Sequence, residues 1–134
     1  MGLLEEVKRR RSVIESYYRN YYRHLEAKEY AKASEDLWGI VNNLLSILRL
    51  LMEGKPVSGH RDARAFLSYL ANLKGDVRLI DLMDACEVLH ANYFHNFMDG
   101  ELFNRYRLRA EWLIKRLDRY VEEEIRKRGV DLKR

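Results

Sequence analysis

The chain has a single cysteine and a single proline, and it contains neither glutamine nor threonine. One cysteine, Cys86, excludes an internal disulfide and fits a reducing compartment. Pro56 is the only proline, so long stretches are free of the strongest helix breaker. Strand-like alternation is nearly absent, which argues against a sheet. No apolar run approaches the length of a membrane span. The first residues are charged from Glu5 onward and lack an apolar stretch of signal length. Together these absences predict a soluble, cytoplasmic protein with no membrane contact.

What is present is helical patterning. The 134 residues are 47% hydrophobic and 34% charged, a globular balance far from the disordered regime. That length predicts one domain over residues 1–134, large enough to bury roughly two-thirds of its unfolded surface. Apolar residues recur at helical spacing almost throughout, so the expected fold class is all-α. The basic residues are 17 Arg and 8 Lys, with a net charge of +4. High charge with few thermolabile amides leans towards a thermophile. Basic residues gather in Lys8-Arg9-Arg10-Arg11 and Arg126-Lys127-Arg128, with Lys133-Arg134 beyond, which reads first as solvated helix ends.

Five helices can be drawn. The first runs from about Leu3 to Ala27, with Leu3, Val7, Ile14, Tyr17, Tyr18, Tyr21 and Leu25 on one side. The second, about Tyr30 to Glu53, carries Leu37, Trp38, Val41, Leu44, Leu45, Leu48 and Leu51, and Ile40 and Ile47 widen the stripe. Gly54 stops it, and residues 54–59 read as a loop. A short third helix spans about Asp62 to Leu73. Asp76 is the expected N-cap of the fourth. Asp99-Gly100 breaks the chain before a fifth, about Glu101 to Lys127, with Phe103, Tyr106, Ala110, Leu113, Leu117, Tyr120 and Glu124 in a seam. Long antiparallel helices joined by short loops make an up-and-down bundle. Surplus apolar surface on helices two and five predicts a homodimer.

The fourth helix holds the most informative stretch, Leu89-His90-Ala91-Asn92-Tyr93-Phe94-His95. Its stripe reads Leu79, Leu82, Met83, Cys86, Leu89, His90, Tyr93 and Phe97, in steps of three and four. That reading aims His90 at the core, puts Asn92 on the flank and sets Glu87 one turn before the histidine. A polar group placed there must find a partner or cost stability.

In this order of parts the chain resembles the HEPN superfamily: two long helices, a Gly/Pro loop, a short helix, then a Leu-His-x-Asn-aromatic-aromatic run. More narrowly it is similar to a paralogous archaeal family whose pattern is Leu-His-x-Asn-Phe-Tyr-Glu. Leu89, His90 and Asn92 match it, Tyr93 and Phe94 stand in reverse order, and His95 replaces the Glu. The segment Ala33-Ser34-Glu35-Asp36-Leu37-Trp38-Gly39 resembles that family's Ala-Ser-Glu-Lys-x-Trp-Gly, with Asp36 for Lys. The resemblance implies a helical bundle that often dimerises. It also implies a superfamily whose active members are metal-independent RNases or nucleotide-binding partners of nucleotidyltransferases.

The RNase members carry an Arg, four to six residues, then a His, usually late in the domain. The one match here is Arg19 to His24, in the first helix. Five steps of about 100° leave those side chains roughly 140° apart, so a solvated helix surface is the simpler reading.

Other constellations are thinner. Cys86 and His90 stand four apart, but a structural zinc site wants four ligands and this chain offers no second cysteine; no metal and no cofactor are expected. Glu87 and His90 could share a proton, yet no nucleophile lies beside them in sequence. His60 and Arg61, just after the loop, could meet a phosphate at the start of helix three. Tyr17, Tyr18, Tyr21 and Tyr22, interleaved with Arg19 and Arg23, suit base stacking or packing equally.

The expected function is a non-catalytic binding or interaction module for nucleotide or RNA, with Glu87, His90 and Asn92 at the ligand and His60 and Arg61 as minor candidates. One alternative is a metal-independent RNase using Arg19 and His24, or His90, across a dimer cleft. Another is a structural or antitoxin-like domain that binds a partner protein.

Overall fold

The computed structural model describes residues 2–132. It is a five-helix bundle: α1 (Leu3–Glu26), α2 (Tyr30–Glu53), α3 (Gly59–Lys74), α4 (Arg78–His95) and α5 (Gly100–Arg128). Among the described residues there is no strand.

α2 is the axis of the bundle. Every residue of its expected stripe is buried, and so are Ile40, Ile47, Ser34, Asp36 and Ser46. α1, α4 and α5 pack around it, and α3 leans on it and on α4. Covering α2 on so many sides explains its unusually apolar composition. Each fully buried Leu or Ile there contributes about 1.5–3 kcal/mol relative to exposure. The surplus on α2 is thus absorbed within one chain.

Two glycines set the geometry of that axis. At Gly39 a Cβ would lie 2.4 Å from Cζ of Tyr17, so only glycine lets the Tyr17 ring lie on the α2 backbone. Gly54 has φ +82° and ends the helix in the left-handed conformation that glycine adopts without penalty. Beyond it, Ser58 N–H donates to the Asp62 carboxylate at 2.7 Å, and α3 begins at Gly59, three residues before the expected start. His60 and Arg61 therefore belong to the first turn of α3.

The expected cap of α4 is corrected. The Asp76 carboxylate is turned away from the helix and accepts Arg116 Nη1 at 2.7 Å and the Tyr120 hydroxyl at 2.7 Å. It ties the α3–α4 connection to α5 in place of capping. Burial raises the Asp76 carboxyl, but the Tyr120 hydroxyl and the Arg116 guanidinium outweigh it and hold the group below the ordinary aspartate value. Asp99 does act as a cap, accepting from Leu102 N–H at 2.8 Å. The α5 seam is buried as expected at Phe103, Ala110, Leu113, Leu117, Tyr120 and Glu124.

Candidate functional site

The roles expected for His90 and Asn92 are exchanged. Asn92 is fully buried, and His90 keeps 27% of its side chain exposed. The Asn92 Nδ2 donates to Ser34 Oγ at 3.1 Å, and its Oδ1 accepts Phe97 N–H at 2.8 Å and Met98 N–H at 2.9 Å. Ser34 in turn donates to the Tyr30 carbonyl at 2.7 Å. Asn92 thus closes the end of α4 and fixes the chain's exit towards α5. The reason lies in the packing: near its end α4 turns its Ala85, Leu89 and Asn92 side inward, and Tyr93 and Phe97 are exposed.

His90 lies at the edge of the core, over Trp38. The two rings stack with centroids 4.7 Å apart and planes 22° apart. A second imidazole, His60, stacks on the same indole at 5.0 Å and 26°. The imidazoles are only 6.0 Å from each other. Rings on opposite faces of the indole would be separated by about twice a carbon contact distance of ~3.5 Å. Both histidines therefore lie over one face of Trp38.

Each histidine has its own carboxylate. His90 Nδ1 is 3.3 Å from Glu35 Oε1, and His60 Nε2 is 3.3 Å from Glu87 Oε2. Glu87 also pairs with Arg64, which reaches Asp84 at 2.8 Å. Glu87 and His90, one turn apart on α4, are thus partnered elsewhere rather than with each other. Burial raises the Glu35 carboxyl, His90 opposes that rise by charge and hydrogen bond, and neighbouring Asp36 adds to it.

The rings continue outward. Phe94 meets His90 edge-on at 5.2 Å, and Tyr93 meets Phe94 at 5.0 Å. Phe94 is 66% exposed. A connected series, His60, Trp38, His90, Phe94 and Tyr93, therefore runs from the buried axis to the surface across three helices. Arg61, exposed beside His60, has no carboxylate partner among the described residues.

Arg19 and His24 do not come together. Arg19 is exposed and donates to Ser16 Oγ at 3.1 Å. His24 is not simply solvated, because its Nδ1 is 2.6 Å from the buried Asp36 carboxylate. Burial raises Asp36, and the His24 hydrogen bond pulls it back. Cys86 is fully buried, and burial pushes its thiol well above the ordinary value. Among the described residues no group of three or more His, Cys, Asp or Glu is arranged to hold a metal ion.

In the sequence His60 marks only a helix start, and Glu35, Arg64 and Phe94 carry no individual signal. The available signal was the family-like run Ser34-Glu35-Asp36-Leu37-Trp38, which supplies the indole and the carboxylate that face His90. No family model matches the chain, and no curated protein or solved structure matches it either.

Proposed function

We propose that the chain is a HEPN-like binding module, without catalysis of its own, that holds a nucleotide or RNA base against the rings leading out from Trp38. The observation that carries this reading is the connected ring series ending in the exposed Phe94. A base stacked on an aromatic ring gains about 1–3 kcal/mol. Glu35 and Glu87 at the edge of the rings can accept from base N–H groups. Arg61 offers a cation to a phosphate. Glu87 and His90 belong to the ligand surface in this reading, and Asn92 supports it from beneath. The experiment is a titration with GMP and AMP, followed by the emission of Trp38 in a Trp112→Phe background. Phe94→Ala, an exposed position, should weaken binding about tenfold and leave folding intact. Absence of any emission change with either nucleotide would refute the reading.

A second reading is favoured by one distance. Two imidazoles 6.0 Å apart, each bound to a carboxylate, could flank a phosphodiester. One would take the proton of the 2′-hydroxyl as its oxygen attacks phosphorus. The other would protonate the departing 5′-oxygen. That metal-independent RNase would cleave RNA in EDTA and lose activity in either His60→Ala or His90→Ala, whereas His24→Ala would remain active.

As a homodimer, which the HEPN resemblance favours, the module would associate through side chains still exposed, such as Tyr69, Leu73 and Val77 around the α3–α4 connection.

A further inference from the structure

The outer face of α5 combines an exposed tryptophan with a run of cations. Trp112 is 53% exposed and Leu108, one turn before it, is 50% exposed. At about 100° per residue, Arg105, Leu108, Arg109, Lys115, Arg116 and Arg119 all fall within about 60° of Trp112 around the helix. No carboxylate shares that stripe between Arg105 and Arg119. Glu111 turns to Tyr21 and Arg107, and Asp118 lines a cleft with Tyr18. Arg105 and Lys115 have no ion pair among the described residues. Arg109 lies over the Tyr106 ring at 5.3 Å, and Arg119 over Tyr120 at 5.7 Å. Arg116 is committed to Asp76, and Arg119 adds its charge to the same carboxylate. One surface hollow is lined by Trp112, Lys115, Arg116 and Arg119, and another, lined by Arg78, Asp81, Leu82 and Arg109, opens nearer the start of α5.

We propose that this face is a track for single-stranded nucleic acid, with Trp112 stacking a base and Arg105, Arg109, Lys115 and Arg119 holding phosphates to either side. An exposed indole is a platform that any base can occupy, and cations along it neutralise a backbone. The stripe spans about 21 Å, from 14 residues at 1.5 Å each, enough for a few nucleotides. A second copy of this face would set cation against cation. An acidic protein segment would lay a ring on Trp112 only where it happened to carry an aromatic residue, whereas every nucleotide of a strand supplies a base. The track lies on α5, whereas the ring series belongs to α2, α3 and α4, so the two stand or fall separately.

The test is anisotropy of labelled ten-nucleotide oligo(U) and oligo(dT) with the full chain at several salt concentrations. Binding should weaken with salt at a log–log slope of about −3, as for four single-strand phosphates. Trp112→Ala should lower affinity about tenfold, and Trp112→Phe should restore most of it. Arg105→Glu combined with Arg109→Glu should weaken binding further and flatten the salt slope. Arg9→Ala, which removes an exposed cation of α1 outside both sites, should bind as the parent does. The proposal is overturned by no binding at low salt, or by Trp112→Ala binding like the parent with its melting temperature unchanged. It is equally overturned if poly-glutamate competes as well as oligo(U), or if loss occurs in His90→Ala alone.

Discussion

Asn92 on α4 and Ser34 on α2 are joined by a 3.1 Å hydrogen bond between two fully buried side chains. The same Asn92 accepts the Phe97 and Met98 N–H groups, so one amide both crosses the bundle and ends a helix. Replacing it by alanine strands two backbone donors, while the Ser34 hydroxyl keeps its bond to the Tyr30 carbonyl. Orphaned buried groups cost about 1–3 kcal/mol each. Asn92→Ala should therefore lower stability by about 3 kcal/mol in urea unfolding. A loss under about 0.5 kcal/mol would mean that water replaces the amide.

Gly39 and Tyr17 make a second, steric prediction. Alanine is the better helix former by about 1 kcal/mol, yet its Cβ would fall 2.4 Å from the Tyr17 ring. Overpacking typically costs about 1–3 kcal/mol, so Gly39→Ala should destabilise the bundle. In a Tyr17→Ala background the sign should reverse, because only the helix preference remains. A double-mutant cycle reads this directly.

Asp76 gives a dependence on pH. Its carboxyl is held below the ordinary aspartate value by Tyr120 and Arg116 against the opposing effect of burial. A lowered native value means that the stabilisation is present above the unfolded value of about 3.9 and is lost as pH falls through the native one. The parent chain should therefore lose stability on acidification below about pH 4 more steeply than Asp76→Asn. At neutral pH the variant should be the weaker of the two. Parallel curves would show that the Asp76 charge is immaterial.

Most of the fold was legible because α2 and α5 announce themselves by long apolar periodicities. The bounds of α2 agree to the residue, and those of α1 and α5 to within one. The sequence could not show which way a short polar helix end rolls. His90 and Asn92 differ by about 200° on a helix, and both lie near apolar neighbours, so periodicity alone does not rank them. The packing of Asn92 on Ser34 decides it. Asp76 departs from a cap for a related reason: a cap is a local signal, and Arg116 and Tyr120 lie 40 and 44 residues away. His60 joined His90 only through Trp38, a contact that no spacing within one helix can disclose.

Cys86 supplies a direct check on the packing of α4. The thiol is fully buried and its ionisation is suppressed by burial. The thiolate is the reactive form, so an aromatic disulfide reagent should leave the native chain unmodified for hours and react at once in denaturant. The labelling rate across a urea series should follow the unfolded fraction. Fast reaction in native buffer would mean that α4 separates from its neighbours locally.

The two tryptophans report different surroundings, and this separates the α5 face from the core. Trp38 is buried and Trp112 is exposed among Arg105, Arg109, Lys115 and Arg119. A cationic surface concentrates anions near it. Iodide should therefore quench the part of the emission that Trp112→Phe removes more strongly than caesium does at equal ionic strength. Raising salt should narrow the gap, since charges beyond about 10 Å are screened at 0.1 M. Arg105→Glu with Arg109→Glu should bring the two quenchers close together. If caesium quenched Trp112 as well as iodide in the parent chain, the field at this face would not be positive, and a polyanion would have no reason to settle there.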